Sequence, residues 1–308
     1  MLGKMTPMGD AGMQPKTDLG DEAESSRVGQ APPVALTIAG FDPSSGAGVT
    51  ADLKVFAAHG LFGVSAITSL TVQSTMGVAA VQPIKGGFLA QTLEQLWADL
   101  PAAGVKIGML GSEEAVRVVA EFLRGIESRN VLRKRIPIVL DPVLRSSSGH
   151  ELLPAEALET LQTELLPLVD SLAGWVTPNW AELGVLAGCT VGNLDEVQAA
   201  AEALGRRYPG LHVLATGGEA AEPAAESIDL LRMPDGNMLE FAGERIKTRS
   251  THGTGCAFSS AILARLVLGD RPAEAVAGAK AYVTEALRSA PGLGHRRGPL
   301  NLLWPLRR

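Results

Sequence analysis

Short apolar runs alternate along this chain with longer amphipathic stretches, and nearly every run stops on a glycine or a polar residue. VALTIAG (34–40), FGVSAITSLTV (62–72), VKIGML (105–110), IPIVLD (136–141), GWVTP (174–178) and LHVLAT (211–216) read as strands. Between them, segments 50–60, 88–100, 113–123, 154–168 and 194–207 place their apolar residues at helical intervals, as Leu89, Leu93, Leu96 and Trp97 do. A short helix is expected after Asn179. Buried strands alternating with helices are the pattern of βαβ units. The predicted fold is α/β, with a mostly parallel central sheet covered by helices on both faces. The stretch 226–249 breaks the rhythm: two β-like runs flank Asp235-Gly236, a tight-turn signal, and predict a small β-hairpin insertion. Two long helices, 253–268 and 272–290, complete the chain.

Hydrophobic residues make up 46% of the 308, enough for a large core of Ala, Leu and Val. No linker divides residues 31–308, which are expected to form a single domain. Residues 1–30 are polar and contain Gly and Pro, and they read as a disordered tail. The formal charge is −6, without Lys/Arg blocks, which argues against a dedicated nucleic-acid binder. No apolar run reaches membrane-spanning length. Two cysteines, Cys189 and Cys256, make no disulfide framework, and the expected compartment is the reducing cytoplasm.

In an open parallel sheet, ligands bind beyond the carboxyl ends of the strands. This chain puts its unusual residues there: Gly40, Gln73, Met109, Asp141, Asn179 and Gly217-Gly218. The sharpest signal is STHGTGCAFSSAI (250–262), where Gly253, Thr254 and Gly255 run straight into an apolar helix. A helix N-terminus presents free N–H groups and the positive end of its dipole, and the glycines let an anion come close. Cys256 lies in the first turn, where those groups are expected to lower its pKa and make it a general base. Packing as a small buried hydrophobe is the other reading. His252 is expected to order the loop. Asp141 with Asn179 and Glu182 forms a candidate magnesium region, though Asn-x-x-Glu is equally a helix cap. Asp52 is either a solvated helix-face carboxylate or an acceptor facing the cleft.

The segments LTIAGFDPSSGAGVTADLKVFAAHGLFGVSAITSLTVQST, KIGMLG, VLDPVLRSSSG, VTPNWAEL and THGTGCAFSSAI stand in order from about Val34 onward. In these the chain resembles hydroxymethylpyrimidine/phosphomethylpyrimidine kinases of thiamine biosynthesis, in the ribokinase-like superfamily. The resemblance implies a three-layer α/β/α fold. It implies transfer of the γ-phosphate of ATP, with Mg2+, to the hydroxymethyl group of an aminopyrimidine and then to the monophosphate. By motif position, Gly40, Asp52, Gln73, Met109 and Val143 would line the pyrimidine pocket. Asp141, Asn179, Glu182, Thr216 and Gly218 would serve the nucleotide, with Asp141 and Glu182 toward the metal. Gly253, Thr254 and Gly255 would form the anion hole, and Cys256 would stand where many sugar-kinase relatives carry an aspartate base. Homodimers are usual for the family.

The chain departs from the family pattern at Thr216, where a lysine is usual, and at Phe41, Arg296 and Arg297. A missing phosphate-neutralising charge would favour the first phosphorylation over the second. Two other readings stay open at this point: a pyridoxal or pyridoxine kinase, and a non-catalytic ligand sensor.

Overall fold

The computed structural model describes residues 31–129, 135–146, 149–218 and 226–306. The expected tail over residues 1–30 lies outside them. Pro33–Arg308 form one compact unit. Among the described residues its strands are β1 (Val34–Phe41), β2 (Phe62–Ser74), β3 (Gly77–Pro83), β4 (Gly104–Ile107), β5 (Ile138–Leu140), β6 (Trp175–Val176), β7 (His212–Ala215), β8 (Glu226–Arg232) and β9 (Met238–Glu244). They make a single sheet in the order β3-β2-β1-β4-β5-β6-β7-β8-β9. From β2 to β7 all neighbours are parallel. The predicted hairpin appears as β8, antiparallel to β7, and β9, antiparallel to β8.

β3 has no counterpart in the sequence reading. It pairs antiparallel with the far half of β2 and ends on Pro83, which an edge strand tolerates. Its residues GVAAVQP are half-exposed or exposed throughout. With neither face buried, it lacks the alternation that marks a strand.

The helices are α1 (Gly48–Ala58), α2 (Gly86–Asp99), α3 (Glu113–Arg129), α4 (155–171), α5 (Trp180–Ala187), α6 (Leu194–Arg207), α7 (Thr254–Val267) and α8 (Pro272–Arg288). Side chains alternate along β1, so Leu36 and Ile38 join a core with α2 through α6. Ala35 faces the opposite core, formed with α1, α7 and α8. The result is the expected three-layer α/β/α fold. α7 is sunk into it: every residue from Ala257 to Ala264 is buried. Gly104 is needed for that close approach, because a Cβ there would stand 2.6 Å from Val267 and 3.0 Å from Leu263. The buried helix thereby presents its N-terminus at the carboxyl edge of the central strands.

Candidate active site

The chain leaves β1 at Phe41 and turns at once around Asp42. Asp42 Oδ1 accepts the Ser44 N–H at 2.8 Å and the Ser44 hydroxyl at 2.7 Å. Oδ2 accepts the N–H groups of Gly46 and Ala47 at 3.1 and 2.9 Å. One carboxylate thus folds the whole FDPSSGAG loop, the local role that makes aspartate a turn residue. Gly48, at φ +60°, closes the loop; a side chain there would strike the Gly40 carbonyl.

The second loop arrives from the other end of the chain. α7 begins after Gly253, whose φ is +82°, and no side chain caps it. Its first intrahelical bond runs from the Ala257 N–H to the Gly253 carbonyl. The N–H groups of Thr254, Gly255 and Cys256 precede that bond, so they have no partner within the helix. The Thr254 hydroxyl is committed elsewhere, donating to the Thr251 carbonyl at 2.8 Å. What Thr254 offers an anion is therefore its backbone. A side chain at 253 would collide with the Gly46 carbonyl, so the two loops touch. His252 joins them, its Nε2 lying 2.7 Å from Asp42 Oδ2. The expected ordering role of His252 is present in this contact.

The pyrimidine-pocket candidates separate into two groups. A Cβ on Gly40 would stand 2.9 Å from the Met109 sulfur, so these two are neighbours at the strand ends. Gln73, half-buried at the end of β2, lies 3.1 Å from His252 Nε2 and accepts the Thr71 hydroxyl at 3.1 Å. Val143 is half-buried two residues beyond Asp141.

Asp52 is different, and here the structure corrects the sequence. It is neither solvated nor facing the cleft; it is fully buried. Its Oδ2 accepts the Thr37 hydroxyl at 2.6 Å and Lys106 Nζ at 3.0 Å. Its Oδ1 accepts Ser260 Oγ at 2.8 Å and Lys106 Nζ at 3.1 Å. Two oxygens with four short contacts leave nothing for an aminopyrimidine. Desolvating a lone ammonium costs several kcal/mol, and the bidentate Asp52 partner offsets that cost. Burial works to lower the Lys106 pKa; the Asp52 carboxylate outweighs it and holds Lys106 above the ordinary lysine range. Lys106 was invisible to pattern reading because it sits inside the apolar run VKIGML. A lysine in the middle of a predicted buried strand was the available signal.

Cys256 also departs from expectation. Burial pushes its thiol up to about 12, with the Asp141 and Asp52 charges acting in the same direction. Lys106 and the Gly48 N–H pull the other way and do not win. The residue as a whole keeps some exposure, but the sulfur is enclosed, and it is the sulfur that titrates. A helix N-terminus lowers a thiol pKa only where desolvation is smaller than the dipole effect. Cys189 is exposed, away from this loop at the end of α5.

Asp141 directly follows β5, next to the start of α7: a Cβ on Gly255 would stand 4.0 Å from its Oδ2. Its buried carboxylate accepts Ser259 Oγ at 3.1 Å. Burial raises its pKa, and Lys106 only partly opposes this. Asn179 and Glu182 form a capping box on α5: the Asn179 side chain accepts the Glu182 N–H, and Glu182 Oε2 accepts the Asn179 N–H, both at 2.9 Å. Glu182 Oε1 also accepts the Leu144 N–H at 3.3 Å. The helix-cap reading of Asn-x-x-Glu is thus realised. Among the described residues no three acidic, histidine or cysteine side chains gather as a metal cage. The donor set suits a hydrated magnesium that arrives on phosphates and touches one or two carboxylates.

Thr216 pairs with Asn179 in a parallel bridge and so lies beside the α5 start. Gly217 is buried, its N–H bound by Asp229 at 2.9 Å, while Gly218 is exposed. Arg245 donates to the Gly218 and Gly217 carbonyls at 2.8 and 3.4 Å. This guanidinium was not singled out from sequence, because it stands 27 and 28 positions from the two carbonyls it binds, just beyond the end of β9.

Residues 42–301 match the family model described as phosphomethylpyrimidine kinase. The hydroxymethylpyrimidine/phosphomethylpyrimidine kinase of Rhizobium meliloti is 39% identical over 276 residues, 87% of this chain and 96% of that protein. The crystal structure of phosphomethylpyrimidine kinase from Clostridium difficile superposes with a TM-score of 0.68 at 35% identity, covering 82% of this chain and 99% of that one. The pyridoxal kinase of Staphylococcus aureus in complex with ADP gives a TM-score of 0.77 at 30% identity, covering 89% of this chain and 94% of that one. A match running from the Asp42 loop through the α7 N-terminus to Asn301 shows that the chain belongs to the phosphomethylpyrimidine kinase family.

Proposed function

We infer that the protein transfers the γ-phosphoryl group of ATP to the hydroxymethyl group of 4-amino-5-hydroxymethyl-2-methylpyrimidine, and then to its monophosphate, for thiamine biosynthesis. The observation that carries this reading is the uncapped N-terminus of α7 beside Asp141. A loose phosphoryl-transfer transition state needs positioning and fixed donors more than covalent help. The N–H groups of Thr254, Gly255 and Cys256 supply donors that require no reorganisation. Gly40 and Met109, with Gln73 held by the Thr71 hydroxyl beside His252, form the acceptor side of the cleft. Asp141, Thr216 and Gly218 form the nucleotide side. Magnesium, when bound with the nucleotide, would be held by Asp141 and neutralise phosphate charge; Glu182 supports that side by fixing the start of α5.

With its thiol pushed to about 12, Cys256 holds its proton at neutral pH. Its part in this reading is to meet and orient the substrate hydroxyl, whose proton leaves late, as the new P–O bond forms, to an oxygen of the transferred phosphoryl group. Among the described residues no helix is long and apolar enough to cross a membrane. Cytoplasmic action as a homodimer belongs to the same reading. The exposed apolar residues Leu70, Val72 and Met76 at the β2–β3 edge give it a surface, and light scattering tests it.

Pyridoxal phosphorylation is a second reading, supported by the larger structural overlap with the pyridoxal kinase. ATP consumption with the pyrimidine alcohol, its monophosphate and pyridoxal, measured side by side, decides between them. The pyrimidine alcohol is expected to turn over fastest. Turnover confined to pyridoxal would reassign the substrate.

A further inference from the structure

Lys106 lies beneath the site as a buried charge that touches neither loop. The Lys106 side chain has no solvent exposure, and neither has Asp52. The pair is assembled from four separate elements. Lys106 sits on β4 directly opposite Thr37 of β1, Asp52 comes from α1, and Ser260 from the second turn of α7. Gly108 makes room for it: a Cβ there would stand 2.7 Å from Lys106 Nζ and 3.0 Å from Ala39. The ammonium therefore lies directly under the strand end that leads to Met109.

Its field reaches upward. Cys256 and Asp141, the two groups flanking the start of α7, both interact electrostatically with Lys106. Phosphoryl transfer gathers negative charge over that same helical turn. A cation fixed in a water-excluded interior acts on such charge far more strongly than one in solvent. Asp52 cannot serve substrate while it accepts from Thr37, Ser260 and Lys106.

We propose that Lys106 is a positioning residue for phosphoryl transfer: a permanent cation beneath Cys256 and Asp141, held by Asp52, which offsets the charge that develops at the first turn of α7. This rests on the reading of the site as a phosphoryl-transfer centre. It gives Asp52 the task of holding Lys106 in place of contacting the pyrimidine. It also places a compensating charge within the site of a chain that carries Thr216 at the end of β7.

A purely structural ion pair makes a different prediction, because neutralising both members of a buried pair is often tolerated. The test compares Lys106→Met, Asp52→Asn and the double variant, by thermal midpoint and by kcat and KM separately. Turnover is read on whichever acceptor the wild type phosphorylates, pyrimidine or pyridoxal, and on basal ATP hydrolysis without acceptor. A wrong substrate assignment therefore shows in the wild type alone and leaves the comparison intact. Lys106→Met is expected to lose both stability and turnover. The double variant is expected to regain most of the midpoint while kcat stays down about 10²-fold, with acceptor KM little changed. Asp52→Asn leaves the buried Lys106 without its carboxylate, so it is expected to lose kcat increasingly as pH rises, at unchanged acceptor KM.

Wild-type kcat in the double variant would overturn the proposal. So would a loss in Asp52→Asn that sits in acceptor KM, since that would make Asp52 a substrate ligand. If the double variant does not fold, the Asp52→Asn split between kcat and KM still decides.

Discussion

His252 Nε2 lies 2.7 Å from Asp42 Oδ2, although the two residues are 210 positions apart in the chain. The contact welds the loop after β1 to the loop before α7, and Gln73 lies against the same imidazole nitrogen at 3.1 Å. The acceptor side and the anion side of the site are therefore set by a single junction. Burial would raise the Asp42 pKa, but hydrogen bonds from His252 and Ser44 outweigh it, so Asp42 is held below its ordinary 3.8. A carboxylate with a depressed folded pKa contributes stability above its unfolded pKa and loses it as pH falls through the folded value. The wild type should lose thermal stability as pH drops below about 4, over the range between those two values. Asp42→Asn should be less stable at neutral pH and show a flatter midpoint-against-pH curve in that acid range. Parallel curves for the two proteins would contradict the role given to Asp42.

Gln73 should govern the acceptor and not the nucleotide. Removing a hydrogen-bond partner from a partly buried site costs about 1–3 kcal/mol, roughly 5- to 150-fold in affinity. Gln73→Ala should raise the acceptor KM within that range and leave the ATP KM nearly unchanged. Steady-state kinetics with each substrate varied in turn is the check; an equal rise in both would move Gln73 to the other half of the cleft.

Cys256 should be slow to alkylate. With the thiol at about 12, iodoacetamide at neutral pH should modify exposed Cys189 first, and modification of Cys256 should accelerate as pH rises. Peptide mapping by mass spectrometry follows both sites. Cys256→Ala should reduce kcat by up to about 10²-fold, through lost positioning of the acceptor hydroxyl and not lost base catalysis, because proton removal is late in this chemistry. Full turnover in the alanine variant would leave the α7 N–H groups as the whole apparatus.

Thr216 should bias the enzyme toward the first phosphorylation. The second step brings a charged monophosphate against the ATP phosphates, so missing positive charge matters more there. Thr216→Lys should raise the rate on the monophosphate more than on the alcohol. Equal changes in the two rates, or none, would retire the idea.

Local chemistry determined a good part of this protein. The alternation of apolar runs with helical stretches specified the parallel strands β1, β2, β4, β5, β6 and β7 and the helices between them, because side-chain period reflects backbone conformation directly. Asp235-Gly236 marked the β8–β9 turn, and the run of small residues at 253–255 marked the start of α7. Those signals lie within a few residues of what they specify. Tertiary structure decided the rest. β3 exists only because β2 offers an open edge to a segment that buries neither of its faces. Asp52 reads as a surface carboxylate in its own helix, yet it is buried because β4 brings Lys106 beneath it. Cys256 sits at a helix start that should acidify it, but the layer packed around α7 removes the water that would solvate a thiolate. Charge, burial and the pairing of distant groups depend on what the rest of the chain brings within a few ångströms, and sequence spacing does not encode that distance.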